Sequence, residues 1–235
     1  IEQADRAVIM LSDIVGEAFL AAIDLRENPE RIEHVNLLCE RARRYHEQID
    51  SYLSKIIALE IGKVERANVS LLSTGSTAFG RMGKIAGRLQ DMITNFGSYG
   101  EKLTERDRKD IHIMGQAIFE IVQLTIKGFS ARTTNLSYAV SYYTEEVLNL
   151  SQIVKRNYVQ RVHNEGIERS GDTLFPDICH AEEQLIDYCD MIGEALIRFD
   201  RESGGKEGTR FVPDEKTRYQ IHMIFKDKIE ELQKN

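Results

Sequence analysis

Apolar residues in this chain recur at steps of three and four, the spacing that lines one face of an α-helix. Val8, Leu11, Val15, Ala18, Phe19, Ala22 and Ile23 predict a first helix over 4–26. Asn28-Pro29 follows, an Asn cap with proline at the first helical position. The helix it starts carries Ile32, Val35, Leu38, Tyr45, Ile49, Tyr52, Leu53 and Ile56 and runs to about residue 63. A third helix is expected from about Ser70 to Phe96, stopped by Gly97-Ser98-Tyr99-Gly100.

The pattern then restarts. Thr104-Glu-Arg-Asp107 resembles a capping box with Asp in the usual Glu position. Ile111, Met114, Ile118, Ile121, Val122 and Thr125 predict a helix over 105–128 closed by Gly128. Leu136, Val140, Val147, Leu150, Val154 and Tyr158 predict a long helix over 131–167, punctuated by Gly166 and Ser170-Gly171. A further helix runs from Pro176 to about Arg201. Ser203 to Gly208 reads as a flexible linker, and Pro213-Asp-Glu opens a final helix to about 233.

Medium, long, medium therefore occurs twice, and a shift of 103 residues superimposes the halves. Val15 falls on Ile118, Glu17 on Glu120, Ile23 on Ile126, Met82 on Leu185, Ala86 on Cys189 and Leu89 on Ile192. The expected fold is all-α, with two tandem three-helix repeats forming a six-helix bundle around long central helices, plus a C-terminal helix. The boundaries are 1–100, 101–202, a linker over 203–212, and 213–235.

Composition narrows the function. The net charge is −7, and Lys and Arg are scattered rather than clustered. Nucleic-acid binders need a basic stripe to neutralise phosphate, so nucleic acid is a poor candidate partner. Cys39, Cys179 and Cys189 are odd in number, far apart and lack a CxxC, which favours a reducing compartment over a disulfide framework. No apolar run approaches the roughly 18–20 residues that span a bilayer. The chain opens at Ile1, without methionine and inside a helical pattern, and is read as a piece of a longer protein.

One helix carries candidate chemistry. His180, Glu183, Asp187 and Asp190 step by three, four and three, so four potential metal ligands share one face. A cation would relieve their mutual repulsion, and His180 beside oxygen donors favours iron or manganese. An ordinary solvated face of an acidic protein is the alternative. The 103-residue shift places Thr77, Gly80, Lys84 and Gly87 at the equivalent positions, so any metal site is one-sided. Gly80, Gly83 and Gly87 also make a side-chain-poor face, read as the close approach of a neighbouring helix or as a groove for a partner helix.

Enzyme signatures are missing. No Glu is followed by His three residues later, and neither HExxH nor GxSxG occurs. His34, His46, His112, His163 and His222 have no Ser, Cys or carboxylate partner readable from sequence. A carboxylate–metal enzyme would need a second acid cluster facing Glu183 and Asp187, drawn from residues such as Glu40, Glu47 or Glu146.

The two-times-three-helix plan and the third helices resemble the PhoU family of phosphate-uptake regulators. That family carries an Asp-Leu-Glu-Arg-Ile-Gly-Asp-His-Ala-type motif whose Glu-x-x-x-Asp pair ligates metal. Here Glu183 and Asp187 hold the Glu and Asp, with Tyr188 in place of His. In the first copy Arg81, Met82, Gly83 and Ala86 are kept and both acids are lost. Asn164-Glu-Gly166 is also family-like, and the resemblance spans about residues 4–200. It implies a non-enzymatic regulator with a possible iron, manganese or zinc site. Two settings fit: a free-standing regulator of a transporter and sensor complex, or a domain fused behind the membrane domain of a sodium/phosphate cotransporter. The degenerate motifs favour the second. The expected partners are that membrane domain or a second copy in a homodimer, on the cytoplasmic side of the membrane. A metal-free interaction scaffold is the rival.

Overall fold

In the computed structural model, residues 1–25, 28–94, 103–164, 174–204 and 215–233 are described. They form seven helices and, among the described residues, no strand. The helices are α1 (Glu2–Ile23), α2 (Ile32–Ile57), α3 (Lys63–Thr94), α4 (Glu105–Ala131), α5 (Thr134–Asn164), α6 (Leu174–Glu202) and α7 (Glu215–Gln233). The Gly97–Gly100 break, the Gly166 and Ser170-Gly171 punctuation, and most of the 203–212 linker with Pro213 lie outside the described residues.

Two boundaries differ from expectation, each for a local reason. The apolar run Ile56-Ile57, Leu59 and Ile61 continues the helical period past Ile57, but the chain leaves the helix at Ala58. Gly62 then accepts the Arg66 N–H at 3.0 Å, and α3 begins at Lys63. Residues 58–62, expected in α2, thus form the connection, and residues 63–69 belong to α3, the longest described helix, at 32 residues. Gly128 does not close α4. The helix runs on to Ala131 and stops at Arg132, in the left-handed region with φ 52°. There the Arg132 N–H bonds Phe129 O at 3.3 Å and the Thr133 N–H bonds Gly128 O at 3.2 Å. Gly128 is instead a packing residue against Leu136.

The Thr104 capping box is present. Thr104 N donates to Asp107 Oδ2 at 2.8 Å, and Asp107 N donates to Thr104 Oγ1 at 3.1 Å. Before α2, Pro29–Arg31 forms one 3-10 turn, and the Asn28 side chain makes no cap bond. α6 starts two residues before Pro176, within the first turn, where proline costs no hydrogen bond.

The layout corrects one topological expectation. α2 and α5 are flanking rather than central: α2 packs on α1 and α3, and α5 on α4 and α6. The two halves join through α1 with α4 and, most extensively, α3 with α6. Phe79 of α3 meets Phe129 of α4 edge-on at 5.4 Å, and Tyr158 of α5 stacks on Phe175 of α6 at 4.1 Å. Phe79, Phe129 and Phe175 are fully buried, and each such ring contributes roughly 1.5–3 kcal/mol. α7 lies on α5: Phe225 is fully buried edge-on to Tyr143 at 5.5 Å, and Lys228 reaches Glu120 of α4 at 3.1 Å.

The glycine face of α3 is filled by α2. A Cβ at Gly80 would lie 2.6 Å from the His46 ring, and one at Gly83 would lie 3.1 Å from Ala42 Cβ. At Gly87 the nearest neighbour, Cys39 Sγ, would stand at 3.6 Å, an ordinary contact. The two end positions should therefore respond oppositely to alanine. Gly80→Ala must displace a ring anchored close to its own backbone and is expected to cost about 1–3 kcal/mol. Gly87→Ala meets no clash, gains helix propensity, and is expected to be neutral or stabilising by up to about 1 kcal/mol. Thermal melting of the two variants checks this pair of signs.

Candidate functional site

α6 owes its place to the stripe Ile178, Ala181, Leu185, Cys189, Ile192 and Leu196, all buried. That stripe turns the acidic positions toward the edges of the helix. Glu183 is half-buried, with its side chain 24% exposed, and does not face open solvent. Ser151 and Lys155, one turn apart on α5, both reach it. The Lys155 ammonium lies 2.6 and 2.7 Å from the two Glu183 oxygens, and Ser151 Oγ donates to Oε1.

The other three predicted ligands stand apart from this contact. His180 is exposed and sits beside Gln184, with 3.3 Å between their nitrogens. Asp187 is exposed, and Asp190 is half-buried, its carboxyl pushed up by burial and by Glu194 and Asp187. Among the described residues, no group of three or more His, Cys, Asp or Glu side chains gathers closely enough to hold a metal ion. On α6 the acids lie along one edge, and α5 meets Glu183 with an ammonium and a hydroxyl rather than with a further carboxylate. Glu40 pairs with Arg43 and Arg44, Glu47 with Arg43, and Glu146 faces His222 at 3.2 Å. Each acid considered for a second cluster is thus engaged away from Glu183.

The structure also supplies histidine partners that sequence did not reveal. His34 Nε2 lies 3.0 Å from Glu17 Oε1, and His112 Nε2 lies 2.9 Å from Gln116 Nε2. His46 Nδ1 is 3.0 Å from Ser76 Oγ, which donates to Asp50 Oδ1 at 2.9 Å. This trio holds the residue types of a nucleophile relay but not its geometry. Ser76 is fully buried, and its proton points to the aspartate rather than to the imidazole. The thiols offer no nucleophile either, since burial above all pushes Cys179 and Cys189 far from the thiolate form.

Two buried polar features escaped the sequence reading. Arg161 of α5 enters the α4 interface and contacts Asp107 Oδ1 and Asp110 Oδ2, both at 2.8 Å, with both acids fully buried. Burial works to raise the Asp107 carboxyl, but Thr104 and Arg161 outweigh it and hold the group below its ordinary range. At Asp110 burial wins, and the carboxyl is raised despite Arg161. Glu182 is 1% exposed, and its Oε2 has no partner. It lines a small cavity of about 30 Å³ with Ile23, Ile93, Leu103, Arg108, Ile111 and His112, and Gly115 gives it room. Burial pushes it well above the ordinary glutamate value of 4.5, and Glu183 adds to this. The signal was present in the sequence: Asp107 and Asp110 fall on the Met114–Ile118–Ile121 face, and Glu182 falls beside Ala181 on the buried stripe.

No family model and no curated protein matches this chain. Among solved structures it is similar to PhoU from Pseudomonas aeruginosa, with a TM-score of 0.77, covering 85% of this chain and 96% of that chain at 16% identity. At that identity the likeness establishes a shared helical-bundle fold.

Removing Arg161 takes the shared cation from two buried carboxylates, so Arg161→Met is expected to cost about 3–5 kcal/mol in chemical denaturation. Glu182→Gln should act with the opposite sign. A carboxyl raised in the folded state contributes nothing below the unfolded value near 4.5 and destabilises progressively as pH climbs toward its folded value. The melting temperatures of wild type and Glu182→Gln should therefore coincide near pH 4 and separate as pH rises, with the variant the more stable at pH 7.

Proposed function

We propose that this chain is a non-enzymatic regulator of phosphate uptake that acts through protein contacts made by its helical faces. The observation carrying the reading is the fold: almost the whole of a PhoU chain finds a counterpart here, both three-helix halves included. Two features of the molecule support a binding role. His34, His46 and His222 each face an acid or hydroxyl of a neighbouring helix, and Glu40 faces Arg43 and Arg44. The outer face of α2 is a long helical surface on which charged residues alternate with the exposed apolar side chains Leu37, Tyr52 and Ile57, whereas α7 covers part of α5.

Of the two settings, the regulator whose body is the bundle itself fits at least as well as a domain appended to a sodium/phosphate cotransporter. A two-repeat bundle accounts for the fold that the two chains share, and α7 packs onto it without adding a separate core. No described helix is long and apolar enough to cross a membrane.

Radiolabelled phosphate uptake in cells lacking the gene, against complemented cells, tests the proposal. Loss of the chain is expected to uncouple the uptake rate from external phosphate, and complementation is expected to restore the coupling. Uptake that tracks external phosphate as in the parent strain would contradict it.

A further inference from the structure

The acidic edge of α6 invites a cation, and the structure already provides one. Glu183 is the only carboxylate of that edge drawn into a helix interface on which a second helix supplies partners. Lys155 spans both of its oxygens at 2.6 and 2.7 Å, and the Ser151 hydroxyl takes up a further lone pair. Charge and coordination are satisfied together. An incoming ion would have to expel an ammonium and would then find a hydroxyl where a second carboxylate is needed. The remaining acids of the edge, Asp187 and Asp190, lie further along α6 itself, and among the described residues no third ligand joins them.

The first half reaches the same end by a different route. The residue equivalent to Glu183 is Gly80, and the space its side chain would need is held by the His46 ring. The residue equivalent to Asp187 is Lys84, again an ammonium. At the two equivalent positions, then, one half offers a carboxylate already holding an ammonium and the other a packed ring.

We infer that Lys155 is a built-in counter-cation that takes the place of a metal ion, and that this protein acts without metal at its third helices. Lys155 and Ser151 sit one helical turn apart on α5, so the clamp also ties α5 to α6 at mid-length. The inference does not rest on the phosphate-uptake reading, because it concerns the purified protein alone.

The test is metal content by plasma mass spectrometry on tag-free protein equilibrated in turn with Fe²⁺, Mn²⁺ and Zn²⁺, paired with melting temperatures with and without each ion. Wild type is expected to retain no ion after dialysis and to melt at the same temperature with and without metal. Lys155→Glu sets a second carboxylate beside Glu183. It is expected to melt lower in chelator and to regain stability by several degrees with Mn²⁺ or Zn²⁺. Lys155→Met, which keeps the bulk and loses the charge, covers the case in which Lys155→Glu does not fold. It is expected to melt below wild type and to gain no stability from any of the three ions. A stoichiometric ion on wild type that is lost in Glu183→Gln overturns the inference. So does a charge-reversed variant that folds and gains no metal, or a Lys155→Met protein as stable as wild type.

Discussion

The antiparallel packing of α3 on α6 is the constraint on which the rest of this molecule depends. It is the most extensive helix pair, and it joins the two halves. Arg88 of α3 donates to Gln184 Oε1 at 2.9 Å, and the Arg81 guanidinium lies 5.9 Å from the centre of the Tyr188 ring. These contacts fix a register in which Lys84 and Asp187, equivalent residues of the two repeats, both fall near its middle. An approximate internal two-fold follows from that register. Each half then has one flanking helix, α2 or α5, to close its third helix from outside. Gly80 and Gly83 on α3, against His46 and Ala42, and Gly193 on α6, against Ser137, keep those approaches short.

Charge is handled locally around this pair. Every buried or half-buried acid must find a cation, a donor or a proton. Asp107 and Asp110 share Arg161, Glu183 has Lys155, and Glu182 has no partner and is driven toward the protonated form. All four cluster on the second-repeat side, between α4, α5 and α6. The first repeat solves the same packing problem with glycine and the His46–Ser76–Asp50 network. The halves share a helix plan and diverge in chemistry: buried acids gather in the second, while buried hydroxyl and amide groups such as Ser12, Ser76 and Gln90 lie in the first.

The fold was legible in the sequence because the three- and four-residue apolar period persists through all seven helices and proline is nearly absent. The α2–α3 boundary was misplaced because Leu59 and Ile61 extend that period into a turn that Gly62 ends. Gly128 was misread because a glycine near a helix end looks the same whether it caps or packs. The candidate site was legible only by halves. Spacing put His180, Glu183, Asp187 and Asp190 along one edge, but it could not show that α5 would lay Lys155 across Glu183. Pairings between helices depend on register, and register is set by the whole core. Arg161 was missed for the same reason, although the acids on the buried face of α4 required a cation from somewhere.

The central claim is that this bundle works by docking on phosphate-uptake machinery. The most direct test is cross-linking of the protein in its native cells, followed by mass spectrometry of the linked partners under phosphate-replete and phosphate-starved growth. The account predicts links from the outer face of α2 to a phosphate transporter or its sensor, with yields that change with phosphate supply. Links confined to unrelated proteins, unchanged by phosphate, would contradict it.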